Sequence, residues 1–211
     1  MSPGAARSLP NPRCARLARF AIREYRAVVP PRTIQLKPQD LLVLLKLATR
    51  REARWSYSGI AAAVGLSASE VHAAVRRALV ARLAVERKPG EIDVQGQNLL
   101  EFLVHGAKYA FPAMRGPVTR GHPTGRAAPV LRDRIVGGDD LPPVWPDPEG
   151  TTRGESLSPL YGTASALKAV VADPELYAAV ALVDAIRGGS ARERKVASDL
   201  LEKMFTGRRA G

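Results

Sequence analysis

The tightest constraint on the fold lies between Trp55 and Leu83, in the stretch WSYSGIAAAVGLSASEVHAAVRRALVARL. Tyr57, Ile60, Ala61 and Val64 fall at helical spacing and give one apolar face, which Gly65 ends, because glycine turns left-handed at a helix C-terminus without steric cost. Ser67, three residues ahead of Glu70, makes a capping box in which serine oxygen and glutamate carboxylate satisfy the free amides opening the next helix. That second helix begins at Ala68 and carries Val71, Ala74, Ala78 and Leu79 on its buried side, with Ala61 small enough for the two helices to cross closely above the turn.

The spacing of Ala61, Gly65 and Val71 resembles the DNA-binding helix-turn-helix. That resemblance implies an outward face of Ser67, Ala68, Ser69, His72, Ala73 and Arg76, with the N-terminal half of helix 68–83 entering a major groove. Ser67, Ser69 and His72 would meet base edges, Arg76 guanine or phosphate, and Arg77 the backbone. A plain helical hairpin with its arginines in solvent fits the same residues, since short matches of this kind arise by chance. The next segment separates the two. Ala84, Val85, Ile92 and Val94 alternate with charged residues around the turn Lys88-Pro89-Gly90-Glu91, which predicts two short strands with Arg87 and Lys88 near the tip. A hairpin directly behind the second helix resembles the winged helix, whose wing follows the adjacent backbone or minor groove.

The expected fold class is mainly α (α+β). Residues 33–111 are expected as the winged domain, 1–32 as a basic extension, 112–160 as a Pro/Gly-rich arm and 161–211 as a helical region. Between Thr33 and Arg51, the block LLVLLKLA behind Pro38 and Asp40 predicts a helix buried on several sides, against which Trp55 packs, while Ser56 caps the helix after it. From Gln97 to Phe111, Leu99, Leu100, Phe102, Leu103 and Tyr109 recur at helical intervals, and Gly106 weakens that helix. His105 has no other ligand type nearby and reads as a buried or interface histidine.

Residues 112–160 show no sustained period. A Pro/Gly stretch of this length fits a linker, or an arm that orders on a surface with Trp145 as its anchor in a groove. Arg115, Arg120, His122 and Arg126 could touch phosphates there, or stand in solvent. Farther on, a short helix is expected over Ser165 to Ala172, and Asp173-Pro174 opens another over Glu175 to Ile186 with a stripe of Leu176, Ala179, Val180, Val183 and Ile186. Gly188-Gly189 ends it, and Ser190 with Glu193 caps a last helix through Phe205, so the final two can pair as an antiparallel hairpin on this chain or on a second copy.

Charge narrows the class less than it first suggests. The chain carries +12, but half of that surplus lies in residues 1–32, where seven arginines meet one glutamate. There Arg13, Arg16, Arg19, Arg23 and Arg26 recur every three or four positions, as a basic amphipathic helix or an unstructured extension. Cys14 is the single cysteine, which excludes an internal disulfide and a Cys-rich zinc site. No apolar run is long enough for a membrane span and no signal peptide is evident, so a cytoplasmic protein is expected.

Chemistry-bearing motifs are sparse. Gly116, Gly121 and Gly125 lack the strand before and Lys-Ser/Thr after that a phosphate loop needs, and three scattered histidines offer no metal-ligand spacing. Asp139-Asp140 has no basic or nucleophilic companion and reads as a turn. No enzyme, cofactor or metal is expected.

Ala61, Gly65, Leu66, Val71 and the Pro89-Gly90 turn together resemble bacterial transcriptional regulators of the MarR-like type, over about residues 35–110. That resemblance implies a homodimer placing two copies of helix 68–83 in successive major grooves of a palindromic site, with wing 84–95 on the backbone. A protein-interaction module, antitoxin-like or replication- or defence-associated, is the alternative; there the winged fold and the Trp145 arm would take a protein partner, and only Arg76 and Arg77 as cations on the reading helix keep it open.

Overall fold

The computed structural model describes residues 35–50, 54–135 and 140–206. The basic segment 1–32 and Asp139 lie outside the described residues. Met1–Gln35 and Leu36–Gly211 form separate units, and the second carries every element below.

Helix α1 (Pro38–Thr49) is the first strut of the core. Proline at its first position suits a turn whose amides are free anyway, and Asp40 closes that turn by accepting the Lys37 N–H at 2.8 Å. Leu41 to Leu45 and Leu47 are all buried, as a helix with neighbours on several sides requires. Those neighbours are α2 (Tyr57–Val64), α3 (Ala68–Val80) and, from the C-terminal region, α8 (Pro174–Gly188).

Caps and turn of α2 and α3 form as their residues dictate. Ser56 Oγ accepts the Gly59 N–H at 3.0 Å, Gly65 adopts φ 66°, and Ser67 and Glu70 exchange both capping-box bonds. Val71, Ala74, Val75 and Ala78 face inward, while Leu79 is half-buried. Arg82 ends this region at φ 59°, a left-handed position that glycine more commonly fills.

Strands β1 (Ala84–Lys88) and β2 (Glu91–Val94) pair antiparallel, with Gly90 at φ 80° and an irregularity between Glu86 and Lys88. Trp55 ties this ribbon to the start of α2 by donating its indole N–H to the Ile92 carbonyl at 3.2 Å. Behind it α4 (Gly96–Glu101) and α5 (Ala107–Ala110) are joined by a π-helical turn, Phe102–Gly106. A side chain at Gly106 would strike the Phe102 ring, so the glycine expected to weaken the helix lets it widen there.

Residues 112–160 differ from the expected extended arm. β3 (Arg115–Pro123) pairs antiparallel with both β4 (Pro143–Pro146) and β5 (Thr152–Leu157), and β4 runs parallel to β5, so the three strands close on one another. A short helix α6 (Pro129–Arg132) lies between β3 and β4. Backbones meet through glycine: a Cβ at Gly121 would collide with the Trp145 carbonyl, and one at Gly154 with the Pro142 carbonyl. Packing by missing side chains leaves no apolar alternation, which is why the sequence reads as arm. Trp145 is an anchor, but inside the core, fully buried and edge-on to Tyr161 and Tyr177 at centroid distances of 5.8 and 5.1 Å.

α7 (Ala164–Ala172) is capped by Thr163, α8 by Asp173, and α9 (Ala191–Thr206) by Ser190 and Glu193. α8 departs from the expected stripe, since every residue from Ala179 to Arg187 is buried. It is the central helix: it packs on α1, on the π turn, and through Asp184 on the strands. Asp184 accepts from Trp145 Nε1 at 2.6 Å, Thr124 Oγ1 at 2.9 Å and Arg187 Nη1 at 2.6 Å, and Arg187 Nε reaches the Phe111 carbonyl at 2.6 Å. Helices α1 to α3, the strands and the final helices thus share one core.

Candidate nucleic-acid interface

The outward face of α3 starts at its cap. Ser67 Oγ accepts the Glu70 N–H at 3.2 Å and donates to the Glu70 carboxylate at 2.7 Å, and Ser69 lies 3.1 Å from it. Both serines are exposed, yet the Ser67 hydroxyl is already engaged with Glu70. The Ser67 backbone N–H, and then its hydroxyl, hold the Glu70 carboxyl below the usual range, so the helix opens with an ionised group beside its positive dipole end.

One turn on, His72 and Arg76 stand side by side at helical spacing, both exposed. The His72 ring rests edge-on against Tyr57, 5.2 Å between centroids, and Tyr57 in turn meets Trp55 at 5.1 Å. That aromatic stack fixes where the imidazole projects. Arg76 has no ion pair or hydrogen bond among the described residues.

Arg77 is placed otherwise than expected. Its guanidinium turns to α1, where Nε and Nη2 donate to the two carboxylate oxygens of Asp40 at 2.7 and 2.6 Å. Asp40 is fully buried, and this bidentate bond pushes the Arg77 pKa up. Neighbours in sequence point 100° apart on a helix, so one arginine of the pair was bound to lie nearer the core.

On the ribbon, Arg87 is exposed and pairs across the strands with Asp93, whereas Lys88 at the tip is exposed and has no partner among the described residues. Ser67, Ser69, His72 and Arg76 therefore share the α3 face, Arg87 and Lys88 the ribbon, and Arg77 neither. Arg115, Arg126 and His122 of the strand region are also engaged, with Glu155, with the Asp140 and Leu141 carbonyls, and with Asp147 at 3.0 Å.

Three cations near these elements escape the sequence reading. Arg54 ahead of α2 and Arg82 after α3 are exposed, and Arg82 carries a left-handed backbone. Lys168 belongs to α7, whose first turn presses on the turn between α2 and α3: a Cβ on Gly65 would collide with the Ser165 backbone. Gly65 is thus required twice, by its φ and by its neighbour. Comparison with known proteins yields no family model, no curated protein and no solved structure that matches this chain.

Proposed function

We propose that the region around α1 to β2 is a winged helix-turn-helix and that the protein is a sequence-specific, double-stranded DNA-binding transcriptional regulator of the MarR-like type. The observation that carries this reading is the pairing of His72 and Arg76, exposed and adjacent on α3, with Arg76 left uncompensated. Placed in a major groove, Arg76 is able to fork guanine, and Ser69 and His72 reach neighbouring base edges. Arg87 and Lys88 on the ribbon meet the flanking backbone, supplying salt dependence rather than base choice. Arg77 drops out of the contact set. Two-fold pairing of such chains would set two reading helices one DNA turn apart, the spacing a palindromic site requires.

Pulldown of genomic fragments, followed by competition binding on the recovered site, tests this reading. Arg76→Ala is expected to weaken the specific complex and relax base preference, and Lys88→Ala to weaken binding uniformly across sequences and lower the salt slope. Equal affinity of wild type and Arg76→Ala for every fragment rules the reading out.

A second reading, a winged protein-interaction module, is favoured by one feature: α3 opens with the ionised Glu70 and presents one cation uncompensated among the described residues. Such a tip suits a partner with mixed polar groups better than a polyanion. Retention on heparin and a gel shift on random duplex at two salt concentrations separate these readings.

A further inference from the structure

Two arginines face each other across the β3–β5 ladder. Arg120 is the register partner of Arg153, and both are exposed. Like charges directly opposite on adjacent strands repel, with Cβ atoms roughly 5 Å apart. Among the described residues no carboxylate pairs with either. Glu155, on the same strand as Arg153, is held by Arg115, and Asp147 accepts from His122 and the Glu149 amide. Neither Arg120 nor Arg153 has a side-chain hydrogen bond or ion pair among the described residues.

The backbone beneath this pair is fixed. Each arginine precedes a glycine, Gly121 or Gly154, whose missing side chain lets the strand press onto β4 and its approach. The Arg120 carbonyl also accepts the Asp147 N–H at 3.1 Å. Two guanidinium groups rooted opposite one another on this ladder are able to close on one phosphate, because each fork matches two of its oxygens.

Asp147, whose N–H the Arg120 carbonyl accepts, lines with its flanking prolines an open cleft of about 280 Å³ together with Thr163 and with Lys168 of α7, and that helix abuts Gly65 through Ser165. Lys168 is exposed along this route, and its ion pair with Glu149 at 3.7 Å is a surface contact of little strength.

We propose that Arg120 and Arg153 form a clamp for one phosphate group. Resting on the DNA-binding reading above, its ligand is a backbone phosphodiester flanking the bases that α3 reads; a free phosphate compound would satisfy the same chemistry.

The full chain carrying Arg120→Gln with Arg153→Gln tests this, beside wild type and Arg76→Ala. Duplex affinity is followed across a salt series, and inorganic phosphate is titrated against the arginine Nε–H signals. The expected result is a log–log salt slope shallower by about 1, with base preference unchanged. Phosphate should move two arginine signals that are absent from the double variant, and the variant should melt no lower than wild type, because repulsion is removed. An unchanged slope together with the two phosphate-sensitive signals keeps the clamp and makes its ligand a free phosphate compound. If wild type binds no duplex and those signals still move, the DNA reading fails while the clamp stands. Silent arginine signals with an unchanged slope overturn the clamp, and Arg76→Ala then reports on the DNA reading by itself.

Discussion

Arg77 and Asp40 join α3 to α1 through a two-bond fork, with the carboxylate wholly buried and the guanidinium only partly open to solvent. Asp40 Oδ2 also accepts the Lys37 amide, so one carboxylate closes the first turn of α1 and fixes α3 to it. Breaking a buried pair from one side strands the other charge. Asp40→Asn should therefore lower stability by about 3 kcal/mol, at the low end for such pairs because Arg77 keeps some solvent contact. Asp40→Leu with Arg77→Met should recover a large part of that loss. Urea denaturation checks both, and a double variant as weak as the single would refute the pairing argument.

Adjacent arginines with opposite assignments give a contrast that sequence does not supply. Arg76→Ala should leave the urea midpoint within about 0.5 kcal/mol of wild type, as for surface changes generally, and weaken specific duplex binding by about 1–3 kcal/mol. Arg77→Ala should do the reverse, destabilising the chain while the folded fraction binds with near wild-type affinity. Paired melts and titrations decide it, and equal effects on binding would place both side chains on the same surface.

Much of the fold was legible where local chemistry decides structure. Gly65, the Ser67–Glu70 box, the Pro89-Gly90 turn and the Asp173 and Ser190 caps act within four residues, so their spacing suffices to place them. Strands β3 to β5 were not legible, because Gly121 and Gly154 pack by absence and Trp145 by a bond to Asp184, 39 positions away. The candidate face divides along the same line. His72 and Arg76 follow from helical period alone, whereas the engagement of Arg77 depends on a partner 37 positions upstream, and Arg153 gained meaning only once its strand partner was known.

Asp173 gives a pH dependence with a defined sign. Burial pushes its carboxyl up, but Lys46 at 2.7 Å and the Leu176 and Glu175 amides together bring it below its ordinary 3.8. A lowered folded value means the stabilisation is present above the unfolded value and lost as pH falls through the folded one. Asp173→Asn keeps a capable helix cap and removes the charge. The stability difference between wild type and this variant should be about 1 kcal/mol at pH 7 and shrink steadily below about pH 4. Urea curves at pH 7, 4 and 3 measure it; a difference that grows on acidification contradicts the assignment.

Trp145 tests whether residues 112–160 belong to the core. Its indole N–H is one of three donors to Asp184, a carboxyl that burial pushes upward and that depends on those bonds to remain in the interior. Trp145→Phe keeps most of the ring packing against Tyr161 and Tyr177 but removes a charge-assisted donor, which should destabilise the whole chain by about 2 kcal/mol. Trp145→Ala adds a cavity and should reach about 3–5 kcal/mol. Because Asp184 and Arg187 bind the strands to the helix that also packs on α1, both variants should lower one cooperative melt followed by helical circular dichroism. A peripheral arm would behave differently, with early proteolysis between 112 and 160 and an unchanged helical transition.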